Sequence, residues 1–121
     1  MARTLHLLVR LEIEGQPVEG YPLRRTLDVS ALQSFDTTRA AGDAYHSLPV
    51  EALGRLRVLA IRPSQDIDVR LNGQTGAGAT VKAGGLLLVF GGDLCRAPQE
   101  NATVRNSSGG LARFRGIGAA V

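Results

Sequence analysis

The sequence predicts an all-β protein: an antiparallel β-sandwich or jelly-roll-like domain of seven to eight short strands, with at most one short helical turn. Three observations predict this class. Short runs alternate apolar and polar residues, clusters of Gly, Pro, Asn and Ser separate these runs, and no helical periodicity exceeds about one turn. The 121 residues predict a single domain over 1–121. Its core must come from Leu, Val, Ile and Ala, because Trp is absent.

The N-terminal half contains three predicted strands. The first runs from Leu5 to Ile13, where apolar residues occupy every second position, and it ends at Gly15-Gln16-Pro17. A short second strand covers Arg25–Ser30, and a stronger one covers Arg55–Arg62. The polar segment Ala31–Ala44 could hold one strand or one irregular turn of helix.

The one helix candidate, Leu48–Gly54, precedes the Arg55–Arg62 strand and offers a single turn bounded by Pro and Gly. Ile67–Leu71 alternates again and predicts a half-buried strand. Leu86–Phe90 is apolar on both faces and predicts a central strand. Ala102–Asn106 and Leu111–Ile117 form the last pair, which the intervening Asn-Ser-Ser-Gly-Gly is predicted to join as a hairpin.

The charge is basic and comes almost entirely from arginine. The net charge is +3, and Lys82 is the only lysine beside 13 arginines. A GC-rich genome would produce this bias, and so would a need for bidentate contacts with carboxylates across subunit interfaces. Because the arginines are spread along the chain and aromatics are scarce, we expect no nucleic-acid partner.

The sequence also indicates a compartment. The single cysteine, Cys95, cannot form an intrachain disulfide, and we expect it to be a small buried or half-buried apolar residue. The N-terminus lacks the apolar stretch of a signal peptide, and the longest apolar run, Leu86–Phe90, is too short to span a bilayer. We therefore expect synthesis in a cytoplasm and no membrane partner.

One segment approaches a phosphate-binding loop. Gly73–Thr80 has glycines at the required spacing, but Ala79 stands where the phosphate-binding lysine belongs. The following Val81–Gly85 cannot open a stable helix, which such a loop requires. The sequence therefore predicts a flexible hairpin loop here, and no cofactor.

The remaining polar residues do not form a recognisable catalytic or metal-binding pattern. Asp66 and Asp68 could hold Ca²⁺ or act as acid and base, but we favour a solvated face paired with Arg70 or Arg62, because no third carboxylate lies close in sequence. His6 and His46 are the only histidines, too few for a metal site. We predict no catalytic residues, no metal and no enzyme activity.

The stretch from Ile61 to Gly73, followed by Ala-Gly-Gly-Leu-Leu-Leu at 83–88 and Asn-Ser-Ser-Gly at 106–109, resembles small virion proteins of tailed bacteriophages. These are head decoration (cement) proteins and comparable tail accessory proteins, and the resemblance covers roughly residues 56–118. It implies a β-sandwich or jelly roll that binds and stabilises a capsid or tail lattice. It implies no catalytic residues.

This resemblance implies a homo-oligomer in the virion, partnered by the major capsid protein or a tail protein. Two segments are candidate assembly arms, 1–14 and 113–121, because free strands and small apolar tails can extend a neighbour's sheet. The candidate interface residues are Arg3, Arg10, Arg24, Arg25, Arg113, Arg115, Ile117 and Val121. The alternatives are a tail or baseplate accessory protein and a carbohydrate-binding β-sandwich, for which the loops at 72–80 or 105–110 would contact the sugar.

Overall fold

The computed structural model describes residues 3–49, 56–71, 78–95 and 102–120, and these contain twelve strands and no helix. The all-β prediction is confirmed. The strands are β1 (Arg3–Val9), β2 (Glu12–Ile13), β3 (Gln16–Pro17), β4 (Leu23–Val29), β5 (Ala31–Arg39), β6 (His46–Ser47), β7 (Leu56–Pro63), β8 (Ile67–Arg70), β9 (Ala79–Val81), β10 (Leu87–Cys95), β11 (Thr103–Asn106) and β12 (Ala112–Ala120).

The strands of the described segments form two four-stranded antiparallel sheets and two two-stranded ones. The first large sheet has the order β10-β7-β12-β5 and the second β6-β11-β8-β9. The small sheets pair β1 with β4 and β2 with β3. The strand count exceeds the predicted seven to eight, in part because the polar segment after Ser30 forms a full nine-residue strand, β5.

The main core lies between the two four-stranded sheets, as in a small β-sandwich. Leu59, Ile61 and Phe114 face inward from the first sheet, and Ile67 and Val104 face inward from the second. Each of these side chains is at most 1% exposed. This packing of aliphatic side chains with two buried phenylalanines, Phe35 and Phe114, agrees with the aromatic-poor composition.

The predicted C-terminal arm is wrong. Residues 112–120 form β12, which pairs with β5 along one side and with β7 along the other. Ala119 and Ala120 are almost fully buried. The small apolar residues of this segment occupy an interior strand because close strand packing leaves them no room for larger side chains; Val121 lies outside the described residues.

Two further predictions need correction. β10, predicted as a central strand, lies at the outer position of its sheet among the described strands, and Leu88 is only half-buried. Leu87 and Val89 contact the main core and Phe90 contacts the smaller one, so β10 is apolar on both faces although it pairs with a described strand on one side only. Asn106–Gly110 does not close a hairpin, because β11 and β12 belong to different sheets. The loop instead links the two halves of the sandwich.

Several predictions lie wholly or partly outside the described residues. They concern the helix candidate from Val50 onward, most of the glycine-rich loop at 72–77, and the Cys95 side chain. Among the described residues, no helix is long and apolar enough to cross a membrane.

Candidate functional site

The N-terminal residues 3–29 form one long β-hairpin, which we call the arm. β1 pairs with β4 over seven residues, and β2 pairs with β3 beyond them. The Val18 N–H donates to the Leu11 carbonyl at 3.0 Å and continues the ladder between the two pairs. Glu14 and Gly15 both have positive φ, 50° and 79°, as the two-residue loop of a type I′ hairpin requires. At about 3.3 Å per residue, the arm can extend up to about 40 Å from base to tip.

The base of the arm packs against the outer face of the β10-β7-β12-β5 sheet. Val29 is 1% exposed and contacts a second small core with Val58 and Ala119. Leu5 and Leu27 add partly buried apolar surface to it. This contact anchors the arm, while the rest of its length is not part of either core.

The distal half of the arm presents apolar side chains to solvent. Leu8 is 54% exposed, Leu11 45% and Ile13 69%. Residues 11–15, which we call the arm tip, combine Leu11 and Ile13 with the exposed carboxylates of Glu12 and Glu14. Glu12 makes only a loose ion pair with Arg10, at 3.9 Å. The tip is therefore an apolar and acidic element with nothing packed on it in the described structure.

A second surface lies on the same outer sheet face, beyond the base of the arm. Ala60, Arg62, Leu86, Arg115 and Gly116 line an open cavity of about 300 Å³, which we call the arginine groove. Arg62 and Arg115 are direct partners in the β7–β12 register, and both are exposed. Leu86 is 59% exposed beside them. The groove therefore combines an apolar wall with two adjacent guanidinium groups.

Asp36 and Arg113 form an ion pair next to the groove. The Arg113 Nε and Nη2 atoms donate to the two carboxylate oxygens of Asp36 at 2.8 and 2.5 Å. The hydrogen bonds from Arg113 hold the pKa of the Asp36 carboxyl below its usual value, and the nearby charge of Arg115 acts in the same direction. A smaller basic cavity of about 220 Å³, lined in part by Arg62, Arg113 and Arg115, continues the positive surface.

The predicted interface residues thus separate into two groups. Four of them, Arg3, Arg10, Arg24 and Arg25, lie on the arm and are exposed. Three others lie on β12, with Arg113 and Arg115 exposed and Ile117 half-buried. Val121 is outside the described residues, so its place in the interface stays a prediction.

Sequence reasoning missed Arg62 and Leu86 in the groove and the apolar residues of the arm tip. Arg62 carried a usable signal, because it is an outward-facing charged residue near the end of a mostly apolar strand. Leu86 carried no such signal, because it belongs to the continuous apolar run Leu86–Phe90, in which the sequence does not distinguish the buried face from the exposed one.

The two aspartates have separate structural partners, and neither is the predicted Arg70 or Arg62. Asp66 accepts from the Ala83 N–H at 2.9 Å and from Lys82 Nζ at 3.2 Å, and these bonds, the backbone one first, lower its pKa. Asp68 is 6% exposed, so it does not lie on a solvated face.

Asp68 is held in a polar network on the β6-β11-β8-β9 sheet. The Arg105 Nη2 atom lies 2.5 Å from one carboxylate oxygen, and Thr80 Oγ1 donates to the other at 2.8 Å. Burial raises the pKa of Asp68, but the hydrogen bonds from Arg105 and Thr80 and the charge of Arg105 outweigh it, so the pKa is lowered overall. The Tyr45 ring stacks against two guanidinium groups: its centroid lies 3.6 Å from Cζ of Arg70 and 4.9 Å from Cζ of Arg105. This network stabilises the fold, since every group in it has a partner within the domain.

Asn106 organises the loop at 107–110. Its side-chain amide donates to the carbonyls of Arg39 and Gly110, both at 2.7 Å, and its oxygen accepts from the Ser108 N–H at 3.0 Å. An open polar cavity of about 520 Å³ beside the loop is lined by seven residues that include Asp43 and Arg105. The loop has the polar groups that a sugar ligand would need, and its backbone is fixed by a buried amide.

The histidines lie apart in the fold, His6 on β1 and His46 on β6, and both are exposed. In the part of the chain that the structure describes, no three His, Cys, Asp or Glu side chains group together so that they could hold a metal ion. Comparisons with protein-family models, with curated proteins and with solved structures found no match to this chain.

Proposed function

We propose that the protein is a non-enzymatic structural component of a virion, a decoration protein that binds a capsid lattice through its arm. The observation that carries this proposal is the exposed apolar surface of the distal arm, at Leu8, Leu11 and Ile13. Apolar side chains grouped on one projecting element are typical of a binding surface, because a monomer gains nothing from leaving them in water.

The construction of the arm supports binding to a larger partner. An isolated two-stranded hairpin is marginally stable in water, and it becomes stable when another surface covers one face. Among the described strands, β1 and β4 pair only with each other, so each has a free edge that a neighbouring sheet can extend. The arm therefore offers both backbone hydrogen bonds and apolar side chains to a partner.

The resemblance to phage virion proteins supports the choice of a capsid as that partner. Many copies of a weak contact, repeated over a symmetric shell, give strong overall binding without a large interface on each copy. The exposed arginines at 3, 24 and 25, of which Arg3 lies at the base of the arm and the other two beside Leu7 and Leu8, suit an acidic lattice surface, where they would orient the docking.

The test is co-sedimentation of the purified protein with capsids that lack it, followed by electron microscopy. We expect a regular array on the shell for the wild type and loss of binding for Leu11→Asp combined with Ile13→Asp. Leu111→Asp is the matched control, because Leu111 is 66% exposed but lies on the sandwich. Binding to tails instead of heads would favour a tail or baseplate accessory protein, and binding that survives the arm substitutions would refute the docking role of the arm.

Carbohydrate binding is a second candidate function, and the polar cavity beside the 107–110 loop favours it. Its test is a glycan array with the wild type and with Asp43→Ala, which removes a carboxylate from the cavity lining. Binding that depends on Asp43 would support this function, and an array without signal would remove it.

A further inference from the structure

The arm tip and the arginine groove have complementary chemistry. The tip carries the exposed apolar side chains of Leu11 and Ile13 and the exposed carboxylates of Glu12 and Glu14. The groove places the apolar surface of Leu86 beside two guanidinium groups. Each surface therefore combines apolar side chains with two like charges, and the charges of the two surfaces are opposite in sign.

The arginines of the groove share one neighbouring acid on the described strands. Arg62 and Arg115 are directly opposed on adjacent strands, an arrangement that is destabilising for like charges. Asp36, the β5 partner of Arg115, already accepts two hydrogen bonds from Arg113. Within the described residues Arg62 makes no ion pair. A carboxylate that docks between Arg62 and Arg115 would relieve this repulsion.

The acids of the tip are equally available. Glu12 has only the loose contact with Arg10, and an exposed pair at 3.9 Å contributes little stability. Glu14 is exposed in the two-residue turn at the end of the arm, where it has a positive φ. Both carboxylates can therefore exchange water for a guanidinium partner without breaking a strong contact.

The groove cannot be filled by the tip of its own chain while the arm keeps its observed form. The ladder from Arg3↔Val29 to Ile13↔Gln16 holds the arm extended, and Arg62, Leu86 and Arg115 all remain exposed in the presence of that arm. A second copy of the chain carries the same tip and can present it freely.

We propose that the arm tip of one copy binds the arginine groove of a second copy. The contact joins two different surfaces, so each copy has one free tip and one free groove, and repetition yields a ring or an open chain of copies. This inference rests on the proposed function in that it names a partner for the arm: beside the capsid surface, the neighbouring decoration protein.

The experiment is sedimentation velocity of the full-length protein over a concentration series. We expect the wild type to self-associate. Two double variants, Glu12→Arg with Glu14→Arg and Arg62→Glu with Arg115→Glu, should each weaken association by about tenfold or more, since like charges then face each other. Combining all four substitutions in one chain restores the native net charge and should restore association.

The charge-matched control is Arg24→Glu with Arg25→Glu, which changes the net charge as the groove variant does but leaves tip and groove intact, so it should associate as the wild type does. Circular dichroism melts confirm that each variant folds. A wild type that stays monomeric up to about 1 mM, double variants that associate normally, or a fourfold variant that is not restored would each overturn the proposal.

Failure of this inference is distinguishable from failure of the proposed function. Capsid co-sedimentation of Leu11→Asp with Ile13→Asp tests docking of the arm on the lattice, whether or not free copies associate. A monomeric wild type that still binds capsids through its arm would refute the contact between copies and leave the decoration role standing.

Discussion

Among the glycines that the structure describes, Gly116 is the one where an added methyl group should lower the stability of the fold most. It lies in the middle of β12, between Phe35 on β5 and Ile61 on β7. A Cβ atom built on Gly116 would overlap the Ala60 carbonyl and would lie 2.7 Å from Cζ of the Phe35 ring. Carbon atoms need about 3.5 Å or more. Gly116→Ala therefore forces β12 away from β7 or the Phe35 ring out of the core.

The expected cost follows from these two contacts. Overpacking of a core typically costs about 1–3 kcal/mol. Separating β12 from β7 also weakens one or two ladder hydrogen bonds, each of which contributes about 1 kcal/mol. We therefore expect Gly116→Ala to lower the free energy of unfolding by about 3 kcal/mol, and the melting temperature by about 10 °C for a domain of this size.

The measurement is urea unfolding followed by far-UV circular dichroism, because the chain has no Trp. Gly110→Ala is the matched control, since a Cβ there meets nothing within 4 Å. A Gly116→Ala protein whose stability lies within about 0.5 kcal/mol of the wild type, the usual range for surface changes, would refute the close packing around β12.

Four further predictions concern other parts of the sandwich. Asp68→Asn should lower the free energy of unfolding by about 2–3 kcal/mol, since it weakens a nearly buried ion pair with Arg105. The same pair predicts a pH dependence, because the folded-state pKa of Asp68 is lowered below 3.8. The stabilisation by Asp68 is therefore present above pH 3.8 and is lost as the pH falls through the folded-state pKa. In an acid titration, Asp68→Asn should lose less free energy of unfolding than the wild type does. Asn106→Ala should cost about 1–3 kcal/mol in a thermal melt, because the Arg39 carbonyl loses its side-chain donor and the Gly110 carbonyl keeps only Ser108 Oγ, whereas the exposed Ser107→Ala should cost almost nothing. Leu88→Asp should express as a folded protein with a loss below about 2 kcal/mol, because Leu88 is half-buried on an outer strand, and a loss above about 4 kcal/mol would contradict that position.

The elements that could be predicted are those with a period of two and one buried face. Ile67 and Val69 alternate with polar residues, and both are fully buried in β8. The arm strand from Leu5 to Ile13 was predicted for the same reason, although it divides into β1 and β2. Local alternation is enough to predict that such a segment is a strand. It does not report which residues meet the core, since Leu11 and Ile13 follow the alternation and are exposed.

Strand order could not be predicted, because it depends on which chain segments meet in space. The small residues of 116–120 fit an exposed tail and an interior strand equally well in sequence, and only the pairing of β12 with both β5 and β7 separates the two. The groove was missed for a related reason: Arg62 and Arg115 are far apart in the chain and become neighbours only through that pairing. The partners of Asp68 were likewise supplied by strands β9 and β11.

The connection between the arm and the sandwich has a mechanical consequence. A single residue, Ser30, separates β4 from β5, and its N–H is bonded to the Ala120 carbonyl at 2.8 Å. A pull on the arm tip is therefore transmitted through the two peptide bonds of Ser30 to β5, with no flexible linker to absorb it. When the pull runs along the strand axis, the nine residue pairs between β5 and β12 share the load in shear instead of opening one after another. A load on the arm is thus resisted by the longest ladder among the described strands.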